Sequence, residues 1–167
     1  FSCFEKSSAS LPFSINSTSY NDGGTIPIIN ACTDKGGSNQ SPQLSWQNAP
    51  AGTDSFALIM DDEDSPCGQG DQACPHWSVA NIPLEKTELD QGEDPRSTSP
   101  IVTNGLGYFG PCPPSQHTYN MTVYALSEDM PPLQTSDLGS EGLTRSQFSA
   151  TYDAYILDTT TLSGQFQ

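Results

Sequence analysis

Two imidazoles, His76 and His117, are the only histidines in this chain of 167 residues. Each opens a stretch in which apolar residues alternate with polar or small ones. A histidine ring can donate a hydrogen bond to an anion, a tyrosine hydroxyl can donate another, and an adjacent carboxylate favours the charged imidazolium. All three groups are present. Side chains of an extended segment alternate with a period of two, so His117 shares a face with Tyr119 and Met121. The same count over residues 55–62 puts Asp62 on the face of Phe56, Leu58 and Met60, at the rim of an apolar layer. This set suits a small anion near neutral pH, and the carboxylate suits the ammonium of a zwitterion. The competing reading of each histidine alone is that it satisfies a buried backbone carbonyl in a β core.

Other chemistries fare less well. Two histidines and a carboxylate form the ligand set of some iron and zinc sites, but neither histidine stands in a recognised metal spacing, so no metal is expected. Asp61, Asp62, Glu63, Asp64 and Asp71 lack the glycine spacing of a calcium loop and are expected to form a solvated acidic face. Gly105, Gly107 and Gly110 match the dinucleotide fingerprint, which works only where the last glycine opens a helix. Pro111, Pro113 and Pro114 forbid that helix. No G-x-S-x-G, H-E-x-x-H or phosphate-loop pattern occurs. An enzyme is not expected, nor is a cofactor.

The elements that must position these residues read as mainly β. Short apolar runs separated by Gly, Pro, Asn, Asp and Ser clusters predict strands at 13–17, 25–29, 44–46, 55–61, 76–82, 117–126 and 160–166. In the longest, Tyr119, Met121, Val123 and Ala125 form one face and Thr118, Asn120 and Thr122 the other. One helix is predicted near 144–157, where Thr144 and Gln147 form a capping box and Phe148, Tyr152 and Tyr155 recur at helical spacing. The charge-rich stretch 84–100 has no period and reads as a solvated loop. The length suits a single domain spanning 1–167.

Five Lys and Arg against 20 Asp and Glu give a net charge of -15, which repels nucleic acid and anionic membrane surfaces. No run approaches the roughly 20 apolar residues of a transmembrane span. A start at Phe1 reads as a mature or trimmed product. Five cysteines suit an oxidising compartment, so a secreted or periplasmic protein is expected. The odd count leaves at least one thiol over, and composition does not choose the pairing.

Three ordered segments carry a more specific signal. Ser41-Pro42-Gln-Leu44-Ser-Trp46 runs on through 51–59 to Asp62-Glu63-Asp64-Ser65-Pro66. The second is His76-Trp77 through Asn81-Ile82-Pro83. The third is Gly110-Pro111-Cys112-Pro113-Pro114 with His117-Thr-Tyr119. From Ser10 to the C-terminus the chain resembles the phosphatidylethanolamine-binding protein family, also called the Raf kinase inhibitory protein family, in its bacterial secreted branch. The resemblance implies a fold of two β-sheets with one or two short helices. It also implies a small surface cavity for phosphate-like anions or phospholipid headgroups, formed by Asp62, Asp64, Pro66, His76, Gly110, Pro111, His117 and Tyr119. Glu63 stands where the family usually has proline, and a cysteine-bounded insert at 67–74 follows it. The resemblance further implies a disulfide between Cys32 and Cys112, which leaves Cys67 and Cys74 as a short clip and Cys3 unpaired. A non-catalytic binding protein is the implied function. Inhibition or modulation of a protease or kinase is the alternative, a metal-assisted hydrolase a distant third, and a homodimer is a further expectation.

Overall fold

A computed structural model describes residues 9–97 and 99–167; the unpaired Cys3 expected above lies outside them. The strands are β1 (Ser14–Asn16), β2 (Gly24–Thr25), β3 (Leu44–Gln47), β4 (Thr53–Asp62), β5 (Cys74–Pro83), β6 (Glu88–Leu89), β7 (Thr103–Asn104), β8 (His117–Ser127) and β9 (Ile156–Phe166). Two helices, α1 (Thr135–Leu138) and α2 (Arg145–Tyr152), lie between β8 and β9. Six strands form one sheet in the order β2-β9-β8-β4-β5-β7, and β1-β3-β6 form a second. This mainly β fold of two sheets bears out the fold expected from the resemblance.

The large sheet is buried on both faces. Phe56, Leu58, Met60, Trp77, Val79, Met121 and Val123 share a core with Ile15, Trp46 and Leu89 of the small sheet. Ala57, Ile59, Ala80, Tyr124 and Leu126 share another with Leu138 and Phe148 of the two helices. Period-two alternation therefore feeds two apolar layers instead of one. That is why the second face of β8 begins with polar Thr118 and Asn120 but ends in buried Tyr124 and Leu126.

The helix begins as expected: the Thr144 side chain accepts from Gln147 N, and the Gln147 side chain accepts from Thr144 N. It is shorter than expected. A 3-10 turn, Asp153–Tyr155, follows at once, and β9 starts at Ile156. The strand expected at 25–29 stops at Thr25, because Pro27 has no N–H for a ladder and Ile28–Asn30 closes a 3-10 turn. The stretch 84–100 is not wholly solvated. It contributes β6 to the small sheet and buries Leu89 and Pro95. Nor is the acidic run a solvated face, since Asp61 and Asp62 are both buried at the end of β4.

Candidate functional site

The ends of three adjacent strands bring the chemistry together. Asp62 ends β4 and is in register with Tyr119 of β8 and Cys74 of β5. Between β4 and β5 the register slips: Met60 pairs with Trp77 and Asp61 with Pro75, which leaves His76 as an extra residue in a β-bulge. A bulge of this kind re-aims a side chain at a sheet's edge. His117 is the first residue of β8, where the proline-rich turn enters the sheet.

Two covalent ties frame the strand ends. Cys67 is bonded to Cys74, closing the 67–74 insert, and Cys32 is bonded to Cys112 in the proline turn. The turn is held further by Cys32 N donating to the Pro111 carbonyl at 3.0 Å and by Gly110 N donating to Asn39 Oδ1 at 2.7 Å. Gly110 is required there, since a Cβ would run into the Asn30 carbonyl oxygen.

A cavity of about 290 Å³ opens between these parts, lined by Asp62, Pro66, His76, His117, Tyr119, Phe109, Pro75, Pro113, Pro114 and three of the bonded cysteines. His117 Nδ1 lies 2.6 Å from Asp62 Oδ2, and both side chains are 3% exposed. His117 Nε2 is buried without a hydrogen-bond partner among the described residues. His76 Nδ1 donates to the Phe109 carbonyl at 2.7 Å, and Phe109 N donates back to the His76 carbonyl at 2.8 Å. The Tyr119 ring stands edge-on to His76, with centroids 5.0 Å apart, and stacks on His117 at 6.4 Å.

The electrostatics differ from the simple expectation. Burial pushes His76 below its ordinary range, and this outweighs the opposing pull of the Phe109 carbonyl and of Asp62. The neighbouring carboxylate therefore does not make His76 an imidazolium in the empty site. Burial, and then Asp62, push the Tyr119 hydroxyl well above the ordinary phenol range, so it stays a neutral donor. No lysine or arginine lines the cavity among the described residues.

Of the expected site residues, Asp62, Pro66, His76, His117 and Tyr119 meet at the cavity, while Asp64, Gly110 and Pro111 do not line it. Asp64 Oδ2 instead accepts from Thr118 N at 2.5 Å, and its own N–H donates to Asp62 Oδ1 at 2.8 Å. Gly110 and Pro111 act one layer back, in the turn. Among the described residues no group of three or more His, Cys, Asp or Glu side chains could hold a metal ion.

Phe109, half exposed, forms one wall of the cavity. Sequence reasoning missed two contributors. Asn39 accepts from Gly110 N and donates to the Tyr108 carbonyl. Arg145, at the start of α2, donates from N and Nε to Asp61 at 2.8 and 2.6 Å and reaches Glu63 at 3.3 Å. Glu63 also accepts from Gly70 N, and Ser146 Oγ donates to Asp71, so α2 is tied to the cavity's rim from behind the sheet. The one available signal was period two, which sets Asp61 on the face opposite Asp62.

Several known proteins are similar to this chain. A protein of Aquifex aeolicus is 37% identical over 120 residues, 66% of each chain. A Mycobacterium tuberculosis protein named lipoprotein LppC is 35% identical over 123 residues, 71% of this chain and 57% of its own. The matches thus span less than two thirds of both relatives. The crystal structure of Escherichia coli YbcL, described as a member of the mammalian PEBP family, superposes with a TM-score of 0.75 at 25% identity. That superposition covers 93% of this chain and 98% of YbcL. The family model for phosphatidylethanolamine-binding protein matches residues 16–167, nearly the whole chain, and it is to that family that the protein belongs.

Proposed function

We propose that the chain is a single-domain, non-catalytic binding protein whose cavity takes a phosphate-like anion or a phospholipid headgroup. Asp62, His76, His117 and Tyr119 contact the ligand, and Pro66 shapes the rim. One observation carries this reading: two buried imidazoles and a neutral phenol surround an open cavity at converging strand ends. Asp64, Gly110 and Pro111 support these groups from outside the cavity. The paired His117 and Asp62 together suit a zwitterion better than a bare dianion, since among the described residues no Lys or Arg lines the cavity to neutralise a second charge.

An extracytoplasmic, secreted or periplasmic location is part of the proposal. The two disulfides support it, because such bonds persist in oxidising compartments. So does the relative named as a lipoprotein. Modulation of a protease or kinase by surface contact is a second reading, favoured by the exposed Phe109 ring beside the disulfide-closed insert. A homodimer is compatible with either.

The test is an NMR titration of the His76 and His117 ring protons with phosphoethanolamine and with inorganic phosphate. The same titration is run on His76→Ala and His117→Ala. The expected result is saturable shifts in the wild type that weaken in both variants. Wild-type rings that do not shift with either probe would overturn the reading and favour the contact surface.

A further inference from the structure

Both histidines at the cavity have already committed one ring nitrogen. His76 Nδ1 donates to the Phe109 carbonyl, an oxygen that can only accept, and His117 Nδ1 is held by Asp62 Oδ2. The nitrogen each ring has left for a ligand is Nε2. A neutral ring whose Nδ1 carries the proton presents a lone pair at Nε2, which an anion's oxygen repels. Either ring becomes a donor to a ligand only as an imidazolium. Among the described residues no lysine or arginine lines the cavity to make up the deficit.

We propose, on the strength of the binding function above, that an anion enters this pocket together with a proton: solvent supplies it to His76 Nε2, and the resulting imidazolium donates to the bound oxygen. The balance is simple, in that an N–H bond forms at Nε2 and the buffer loses the proton. His117 keeps its Asp62 partner in both states, and its buried Nε2 has no hydrogen-bond partner among the described residues until a ligand arrives.

The groups around His76 fit this role. From β4, Asp61 and Asp62 draw a proton toward the ring; from β8, His117 opposes it and Tyr119 is neutral; the Phe109 carbonyl favours the charged form. Glu63 and Asp64, in the loop after β4, are engaged by Arg145 and Thr118. Burial keeps the ring neutral in the empty site. A ligand anion within hydrogen-bond reach of Nε2 opposes that burial penalty, so the ring's affinity for a proton rises when the site fills. Reciprocity then makes anion affinity fall as pH rises, by up to about tenfold per pH unit between the empty and filled midpoints.

The probe is glycerophosphoethanolamine, a phosphodiester with no phosphate proton to lose near neutrality, used on the wild type, His76→Gln and His117→Gln. Calorimetry at about pH 7.5 in buffers of different ionisation enthalpy counts the protons taken up. The expected result is uptake approaching one proton per ligand in the wild type, persistence in His117→Gln and loss in His76→Gln. NMR of the wild type alone gives an independent reading, with the His76 midpoint rising at saturation. Saturable wild-type binding with no uptake and no midpoint shift overturns the proton coupling and leaves the binding function standing. Uptake lost only in His117→Gln overturns the assignment to His76. Failure of the wild type to bind this diester, phosphoethanolamine or phosphate overturns the binding function itself, and the coupling with it.

Discussion

Asp61 and Asp62 are neighbours in the chain and anchor opposite sides of one sheet: Asp61 holds Arg145 of α2 behind it, and Asp62 holds His117 in the cavity in front. Both carboxylates are almost completely buried. The alternation of a single strand thus links the rim-bearing helix to the ligand-facing imidazole.

Asp62→Ala leaves the buried Nδ1 of His117 without its acceptor. Removing one member of a buried pair costs about 3–5 kcal/mol, and Asp62→Asn, which keeps an acceptor oxygen, costs less. Urea unfolding of the two variants at neutral pH checks the order. Equal losses would mean that the carboxylate's charge, not its acceptor role, supports His117.

Arg145→Ala separates the two faces. Asp61 already titrates above its ordinary 3.8, because burial outweighs the bonds from Arg145. Removing the guanidinium and its bonds raises it further. The folded protein then holds a proton that the unfolded chain has released, so stability falls as pH rises from about 3.8 upward. The variant is expected to lie nearest the wild type in acid and to lose about 3–5 kcal/mol near neutrality. Urea midpoints measured from pH 4 to pH 7 give the test; a deficit that shrinks toward pH 7 would contradict it.

Gly110→Ala probes the turn without touching the cavity lining. The added methyl meets the Asn30 carbonyl and the backbone of Ala31 and Cys32, which cannot retreat because Cys32 is bonded to Cys112. Overpacking at such a point costs about 1–3 kcal/mol. Thermal unfolding should show it, together with weaker phosphoethanolamine binding through the displaced Phe109 and Pro113.

Much of this was legible in the residues, and what was not has identifiable causes. Period two placed Asp62 with Phe56, Leu58 and Met60, and His117 with Tyr119, because strong apolar alternation leaves a strand little freedom of register. The capping box located the start of α2 but not its end, where a 3-10 turn tightens the chain before β9. Short strands such as β6 and β7 have too few residues to show any period; their pairing is fixed by partners far away in the chain. The bulge at His76 is equally invisible, since it arises from the mismatch between β4 and β5 and not from either alone. The lowered His76 range was hidden for the same reason: burial depends on the whole fold, whereas the nearby carboxylate could be read directly.

The two disulfides should differ in what they contribute. The bond from Cys32 to Cys112 spans 80 residues, and that from Cys67 to Cys74 spans 7. Cross-linking removes unfolded-state entropy that grows with the logarithm of the closed loop, which gives about 4.5 kcal/mol for the long loop and about 2.4 kcal/mol for the short one. The double variant Cys32→Ser/Cys112→Ser is therefore expected to lose more stability in urea than Cys67→Ser/Cys74→Ser. Binding should respond differently. Cys67 and Cys74 both line the cavity, so opening the clip frees the rim loop that carries Pro66 and weakens phosphoethanolamine binding out of proportion to its small effect on unfolding. Ligand affinity that tracked unfolding stability across both variants would show that the insert contributes to the fold alone and not to the shape of the pocket.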